Sequence, residues 1–156
     1  MATIRIVDVA PASADAEYCL GRYFEELGAR FDGGFDPRLS EAPTLADFAP
    51  PGGAFLVIYL GKRPVGCGGL KRHSPDTAYL KRMWIDQGVR GRGLGRTLLT
   101  ELEQRTRRLG YRKVCLETHA SLAEARKLYR SSGYGEVAAF NAERYADHWF
   151  EKTLAV

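Results

Sequence analysis

Seven short segments of the chain carry the closely spaced apolar and β-branched residues that are typical of β-strands. The second and third of these segments flank Gly61, Lys62 and Arg63, a spacing that predicts a β-hairpin. The predicted strands are residues 3–9, 54–60, 64–70, 78–85, 113–118, 134–140 and 148–154.

Helical spacing of apolar residues fills most of the stretches between these strands. A first helix is predicted from Ser13 to about Gly28, because an apolar residue recurs every three or four positions along it. A shorter piece with the same spacing follows around Leu45 and Phe48.

Two further helices lie in the second half of the chain. One is predicted from Leu94 to about Gly110, with leucines on one face. The last is expected to start at an S-x-x-E capping box made by Ser121 and Glu124, and to stop at Gly133.

The resulting order of elements, β α α β β β α β α β β, predicts a mixed sheet with helices on both faces. This is an α/β (α+β) architecture. At 156 residues, without internal repeats or low-complexity linkers, the chain is expected to form a single domain over residues 1–156.

Composition narrows the class of protein further. The chain is 45% hydrophobic and 27% charged, which is ordinary for a soluble globular protein. No apolar run approaches the ~20 residues of a membrane span, and the first residues lack the pattern of a signal peptide. Cys19, Cys67 and Cys115 have no spacing typical of a metal site or a disulfide framework. We therefore expect a cytoplasmic protein without a metal ion or a membrane partner.

Charge is distributed unevenly along the chain. Residues 81–113 carry ten Lys/Arg and three Asp/Glu, whereas residues 1–53 carry four Arg and nine acidic residues. A basic segment raises the possibility of nucleic-acid binding, but most of its charges fit a solvated helix face. Arg90, Arg92 and Arg96 flank a glycine-rich loop, where a phosphorylated cofactor explains them better than a nucleic acid.

That loop, residues 89–95 (VRGRGLG), is the strongest chemical signal in the sequence. Gly91, Gly93 and Gly95 alternate with other residues immediately before the central helix. The first N–H groups of a helix lack internal partners, and the helix dipole adds partial positive charge there, so an anion is favoured. The sequence therefore predicts a phosphate-binding site, without specifying which phosphate.

The spacing of the loop excludes two common nucleotide motifs and fits a third pattern. The chain has no G-x-x-x-x-G-K-[ST], and its third glycine comes one residue too early for G-x-G-x-x-G. The loop fits [Q/R]-x-x-G-x-[G/A] through Arg90, Gly93 and Gly95. With the preceding strand at 78–85, it resembles the coenzyme A loop of the GNAT superfamily of acyl-CoA-dependent N-acetyltransferases.

Two other segments carry the same resemblance, which covers nearly the whole chain. They are LET at 116–118 and A-x-x-x-Y-x-x-x-G-Y at 125–134. The resemblance implies a mixed, mostly antiparallel twisted sheet of six to seven strands flanked by about four helices. It also implies transfer of an acetyl group from acetyl-CoA to a primary amine, by direct attack within a ternary complex.

The resemblance assigns roles to residues of this chain. Tyr129, just before the end of the last helix, matches the tyrosine that protonates the departing thiolate in similar enzymes. Its alternative is a tyrosine that only packs the core. The residues implied in cofactor binding, through backbone groups of the strand and the glycine loop, are Met83, Trp84, Ile85, Arg90, Gly91, Arg92, Gly93, Leu94, Gly95 and Arg96.

The general base is less clearly indicated. Many relatives have a glutamate where this chain has Tyr79. Glu117, at the end of the strand KVCLET, matches another carboxylate that acts as the base in some members of the family. Glu117 could instead be a strand-end residue paired with a neighbouring arginine. Proton removal through a water chain, or by the acceptor's own basicity, also stays open.

The acceptor is expected to be a small molecule, although a protein amine is an alternative. Carboxylates and aromatic residues in the first helical region and the last hairpin suit a cationic amine, or are simply solvated side chains. A non-catalytic acyl-CoA-binding domain is a further alternative, and the closing segment HWFEKTL could pair across a homodimer.

Overall fold

The structure, a computed structural model, describes residues 3–39 and 44–154. Every predicted strand is present, although the bounds differ. The strands are β1 (Ile4–Asp8), β2 (Ala54–Leu60), β3 (Arg63–Ser74), β4 (Thr77–Ile85), β5 (Lys113–Thr118), β6 (Gly135–Val137) and β7 (His148–Thr153).

Three α-helices accompany these strands within the described residues. They are α1 (Ala14–Arg30), α2 (Leu94–Arg108) and α3 (Ala123–Ser131). Short 3-10 turns cover Pro37–Leu39, Leu45–Phe48 and Gln87–Val89. The predicted second helix is therefore a single 3-10 turn, which buries Phe48.

All seven strands belong to one sheet, in the order β1-β2-β3-β4-β5-β7-β6. Neighbouring strands are antiparallel except for β4 and β5. The predicted fold class, a mixed and mostly antiparallel sheet of six to seven strands with helices on both faces, is thus confirmed.

Alternation along the strands divides the core into two layers. On β2, Leu56 and Ile58 face the layer that holds α2 and α3, whereas Phe55 and Val57 face the layer of α1. Successive side chains of a strand point to opposite faces, so both faces are apolar where helices cover both. Each fully buried leucine or phenylalanine contributes roughly 1.5–3 kcal/mol to folding.

The pairing between β4 and β5 is short, and this opens the sheet. The two strands pair only from Thr77 to Tyr79 on β4 and from Lys113 to Cys115 on β5. Beyond Tyr79, residues 80–85 have no β5 partners, so their backbone forms an edge inside the sheet. The candidate site lies at this opening.

A bulge in β4 lies at the same place. Between Gly69↔Lys81 and Cys67↔Trp84 the register shifts by one residue, so β4 has one more residue than β3. Arg82 within this bulge has φ 61°, a left-handed conformation that costs a non-glycine residue roughly 1–2 kcal/mol.

No helix in the described part of the chain combines the length and apolar character that crossing a bilayer requires.

Candidate active site

A groove of about 550 Å³ runs between the edge of β4, the N-terminus of α2 and the facing sides of α1 and α3. It brings together most of the predicted cofactor-binding residues. Those that line it are Met83, Trp84, Ile85, Arg90, Gly91, Gly93, Leu94, Gly95 and Arg96. Arg92 is exposed and does not line the groove.

The glycine loop has the backbone conformation that the sequence predicts. Gly91 and Gly93 have φ of 81° and 75°, and Gly93 is the N-cap of α2. The first internal hydrogen bond of α2 runs from the Thr97 N–H to the Gly93 carbonyl, at 3.1 Å. The N–H groups that precede Thr97 therefore have no carbonyl partner within the helix. These groups adjoin the groove, which Gly93, Leu94 and Gly95 line, and N–H groups at a helix N-terminus favour an anion.

The arginines beside this loop bind protein groups as well. Arg90 donates through Nη2 to both carboxylate oxygens of Glu26, at 2.5 and 2.6 Å, and through Nε to the Ile85 carbonyl at 3.0 Å. Arg96 donates to the hydroxyls of Ser131 at 2.7 Å and Ser132 at 3.1 Å.

Charged side chains connect α1 to the opposite wall of the groove. Arg30 of α1 pairs with Glu124 of α3 and lies 3.6 Å from Glu26. Glu124 therefore binds Arg30, and the predicted capping box is wrong. Helix α3 begins at Ala123, and the Ser121 hydroxyl contacts the His119 ring instead. A long-range ion pair has replaced the local cap.

A second, smaller cavity of about 120 Å³ adjoins the groove. Residues that line both cavities are Tyr23, Leu27, Met83, Leu122, Ala125 and Tyr129. The smaller cavity also contains Glu117, so the two predicted catalytic residues share one site.

Tyr129 lies at the junction of the two cavities. Its side chain is buried, and its hydroxyl is 3.9 Å from Sδ of Met83. Burial, and secondarily the negative charge of Glu117, raises the pKa of Tyr129, so the phenol holds its proton at neutral pH. A protonated hydroxyl between the cavities can act as a proton donor.

Glu117 is a buried carboxylate beside a lysine. Its side chain is only 8% exposed, and Lys81 Nζ lies 3.5 Å from Oε1. Among the described residues, Oε2 has no hydrogen-bond partner. Burial raises the pKa of Glu117, and the Lys81 charge offsets part of that rise. The partner is a lysine, where the sequence suggested an arginine.

Tyr79 takes part in a polar network next to Glu117. Its hydroxyl accepts from Asn141 Nδ2 at 2.8 Å, and Trp149 Nε1 donates to Asn141 Oδ1 at 2.9 Å. Burial and the Glu117 charge raise the pKa of Tyr79, which keeps it a neutral phenol. The position at which relatives often carry glutamate thus holds a neutral hydroxyl that packs against the acidic residue of β5.

Sequence reasoning missed several residues that line these cavities. Lys81 and Arg82 line the smaller cavity together with Glu143, although none of them belongs to a recognisable motif. The sequence signal that could have identified Lys81 and Arg82 was the presence of two consecutive basic residues in an otherwise apolar strand. Among the aromatic residues of the first helical region and the last hairpin, Phe31, Phe35 and Tyr145 line the smaller cavity, whereas His148 pairs with Glu136 away from it.

The described residues of this region do not bring together the side chains that a metal ion needs. Across residues 3–39 and 44–154, no group of three or more His, Cys, Asp or Glu side chains is placed to hold a metal ion.

Comparison with known proteins identifies the family of this chain. The sequence model of the "Acetyltransferase (GNAT) family" matches residues 21–134, which include the whole of the groove. The chain belongs to this family of N-acetyltransferases. It is therefore an acyltransferase-family protein with a fold that uses acyl-CoA.

Individual relatives are consistent with this assignment. The uncharacterized N-acetyltransferase YjgM of Escherichia coli (strain K12) is 31% identical over 118 residues, which are 72% of this chain and 70% of that protein. A GNAT-family acetyltransferase of Staphylococcus aureus Mu50 has the same fold, with a TM-score of 0.82 at 19% identity, over 98% of this chain and 100% of that one.

A second solved structure extends the comparison. The PaiA N-acetyltransferase of Thermoplasma acidophilum, solved in complex with coenzyme A, superposes with a TM-score of 0.75 at 16% identity. The match covers 97% of this chain and 99% of that one.

Proposed function

We propose that this protein transfers an acetyl group from acetyl-CoA to the primary amine of a small acceptor, by direct attack within a ternary complex. The observation that carries the proposal is the junction of the two cavities at Tyr129 and Met83. The lining of the groove extends from Met83 on β4 to the N-terminus of α2, and the smaller cavity shares six lining residues with it. Donor and acceptor would therefore meet beside the Tyr129 hydroxyl.

Two features of the groove and one comparison support acetyl-CoA as the donor. The N-terminus of α2 offers N–H groups to a pyrophosphate. Residues 80–85 of β4 offer an unpaired strand edge to the amide-containing arm, much as a sheet edge binds an extended peptide. The coenzyme A named for the Thermoplasma structure supports the same ligand class here.

The reaction needs one proton to leave the amine and one to reach the sulfur. The bond between the acetyl carbon and sulfur breaks, and a bond between that carbon and the amine nitrogen forms. Glu117 Oε2, buried in the smaller cavity, accepts the proton from the amine. Tyr129 donates its proton to the departing thiolate and recovers one from solvent or product.

Backbone groups at the β4 bulge supply the third requirement, stabilisation of the developing oxyanion. The bulge takes Arg82 and Met83 out of register with β3, and Met83 lines both cavities, so this segment of backbone lies beside the junction. A single oxyanion donor is typically worth ~10²–10³ in rate. A hydrogen bond that forms only in the transition state raises turnover and leaves the affinity for the substrate unchanged.

Thiol release from acetyl-CoA across a panel of amines tests the proposal, with a no-amine control and Tyr129→Phe in parallel. We expect release that depends on the amine and falls sharply in the variant. Binding of acetyl-CoA without any amine-dependent release would refute the proposal and favour a protein that only binds acyl-CoA. Parallel assays with longer acyl-CoA thioesters determine whether acetyl is the preferred group.

A further inference from the structure

A continuous series of ion pairs links three of the elements that enclose the cofactor groove. Arg90, in the segment before α2, binds Glu26 of α1, and Glu26 lies 3.6 Å from Arg30, one turn further along the same helix. Arg30 in turn binds Glu124 of α3. All four residues line the groove. The Arg30–Glu124 pair is therefore a direct link between α1 and α3 across the groove.

Two hydrogen bonds join Arg30 to Glu124. Nη2 of Arg30 donates to Oε2 of Glu124 at 3.0 Å, and Nη1 donates to Oε1. A pair of parallel hydrogen bonds is a favourable geometry for a guanidinium and a carboxylate. Nη2 also donates to the Ser121 carbonyl at 3.2 Å. The hydrogen bonds from Arg30 hold the pKa of Glu124 below its ordinary value, so this carboxylate is ionised at neutral pH.

The two charges lie at helix ends that favour them individually. Arg30 is the last residue of α1, and Glu124 is in the first turn of α3. A cation at a C-terminus and an anion at an N-terminus each interact favourably with the helix dipole. The side chains are also 27% and 59% exposed, so water can replace the partner of each. The pair can therefore open and form again at small cost.

The backbone beside the pair is held by a separate contact. Phe31 follows Arg30 in the chain, and its ring stacks on that of His119 with centroids 4.0 Å apart. This contact joins the end of α1 to the segment before α3 without using the ion pair. Opening thus requires rotation of the Arg30 and Glu124 side chains rather than movement of α1, and exposed side chains rotate within nanoseconds.

The groove keeps its space while the pair is formed. Its volume is about 550 Å³ with Arg30 bound to Glu124. The pair therefore crosses the groove without filling it, and an occupant can lie in the groove with the pair closed.

From these observations we infer that the Arg30–Glu124 pair is a latch, which opens to admit coenzyme A and closes again over the bound cofactor. The inference rests on the proposed function, which supplies the cofactor, and deepens it by adding a residue pair that controls cofactor exchange. A latch that is closed both before and after binding slows entry and exit by the same factor. It leaves the dissociation constant nearly unchanged.

Glu124→Gln tests the latch through the direction of its effect. Coenzyme A is an anion, so removal of a negative charge from the groove would by itself slow its dissociation. Loss of the latch should instead speed dissociation, by roughly three- to ten-fold for an ion pair of this exposure. The association rate should rise as well. Stopped-flow mixing measures both rates, with the fluorescence of Trp84 in the groove as the signal.

The double variant Arg30→Gln/Glu124→Gln removes the pair and keeps the net charge of the groove. Both rates should rise by the same three- to ten-fold, and calorimetric titration should give a dissociation constant within about threefold of the wild-type value. The double substitution therefore separates the latch from simple electrostatic attraction of the cofactor. Thermal unfolding establishes that the variants are folded, and the exposed single substitution Glu124→Gln stands as a test even if the double variant is not.

Arg130→Gln/Glu136→Gln is the matched control. Arg130 of α3 pairs with Glu136 at 2.9 Å, and neither residue lines the groove. This variant also removes one exposed ion pair without changing the net charge, and it should keep the wild-type association and dissociation rates.

Each other outcome overturns the latch in a different way. Unchanged rates would mean that the pair does not impede exchange. Faster association with slower dissociation would mean that the pair occupies part of the cofactor's own site. Faster dissociation with unchanged association would make the pair a fixed wall. These results would leave the proposed acetyl transfer intact, whereas a wild-type protein that does not bind coenzyme A would overturn the proposed function and the latch together.

Discussion

The Tyr129 hydroxyl lies 3.9 Å from Sδ of Met83, and this contact spans the opening between α3 and β4. Both residues line the cofactor groove and the smaller cavity. The opening exists because β4 and β5 stop pairing after Tyr79. In the proposed reaction, the Tyr129 hydroxyl would donate its proton where a sulfur from one cavity and an amine from the other meet.

Replacing Tyr129 with phenylalanine removes that donor and keeps the ring. We expect kcat to fall by about 100-fold or more, the usual contribution of a general acid. The dissociation constant for acetyl-CoA should change by less than about threefold, because the proposed role of the hydroxyl is confined to the transition state. Steady-state kinetics and calorimetric titration measure the two effects separately.

Tyr134→Phe is the matched control. Tyr134 is equally buried and lies near Tyr129, but its hydroxyl donates to Glu103 at 2.8 Å and lines neither cavity. This variant should lose about 1 kcal/mol of stability from the missing hydrogen bond and retain its turnover. Wild-type turnover in Tyr129→Phe would remove the acid role.

The pH dependence of the reaction should report Glu117. Burial raises the pKa of this carboxyl, the Lys81 charge lowers it in part, and the Glu143 charge raises it. A base works only when deprotonated, so kcat/KM should rise with pH through a value above the ordinary ~4.3 of glutamate. Glu117→Gln should be slower and should lack this acidic limb.

Glu151→Gln is the control for that profile. Glu151 lies on β7 opposite Cys115, pairs with Lys113 at 3.7 Å, and is outside both cavities. Glu151→Gln should show the same rise of kcat/KM with pH as the wild-type protein. An unchanged profile in Glu117→Gln would assign the limb to another group, with a water chain as the remaining route for the proton.

Gly93→Asp should abolish binding of coenzyme A. An added Cβ at Gly93 meets no atom within 4 Å, so bulk inside the protein is not the obstacle, but φ of 75° is strained for any other residue. The added carboxylate would also lie at the N-terminus of α2 and repel the cofactor phosphates. Calorimetric titration with coenzyme A measures the loss.

Gly110→Asp separates strain from site chemistry. Gly110 follows the other end of α2 and has φ of 93°, again with open space around the Cβ position. Both variants should lose roughly 1–2 kcal/mol of stability from the left-handed backbone. Only Gly93→Asp should lose binding of coenzyme A. Normal binding in this variant would show that the phosphate site is not at this loop.

Glu26→Gln should strengthen cofactor binding. Glu26 lines the groove and pairs with Arg90, one of the arginines predicted to surround the pyrophosphate. Neutralising this carboxylate removes a negative charge facing an anionic ligand and releases Arg90 to bind it. We expect coenzyme A to bind several-fold more tightly, by a factor that shrinks at high salt.

The exposed Glu25→Gln, one residue away on α1, should leave the affinity unchanged. Glu25 lies outside the groove and is 75% exposed, so its charge is screened by solvent. Weaker binding in Glu26→Gln would mean that the pair with Arg90 orders the loop rather than competing with the ligand.

Local sequence signals predicted the elements and the cofactor half of the site. Gly91 and Gly93 mark positions of positive φ, and the leucines after them follow helical spacing, so the loop and α2 could be read from eleven consecutive residues. The strand at 113–118 agreed residue for residue with β5. The predicted strand at 134–140 shortened to Gly135–Val137, because only these residues pair with β7.

Pairings between distant parts of the chain could not be predicted from local sequence patterns. Ser121 and Glu124 have the spacing of a capping box, yet Glu124 binds Arg30, which is 94 residues away. Arg90 pairs with Glu26 across 64 residues. An ion pair between elements competes with a local cap at similar energy, and only the position of α1 opposite α3 across the groove determines which is formed.

By itself, the sequence determined the glycine loop, the helix that follows it, and Tyr129 near the end of the last helix, because backbone conformation and helical spacing depend on neighbouring residues. The tertiary structure alone decided the acceptor half of the site. Lys81 and Arg82 line one cavity because β4 has one residue more than β3 at the bulge, and a register shift depends on two strands at once. Glu117 is buried near the point where β4 and β5 separate, with one oxygen unsatisfied among the residues that the structure describes, and this separation is a feature of the sheet that neither strand encodes alone.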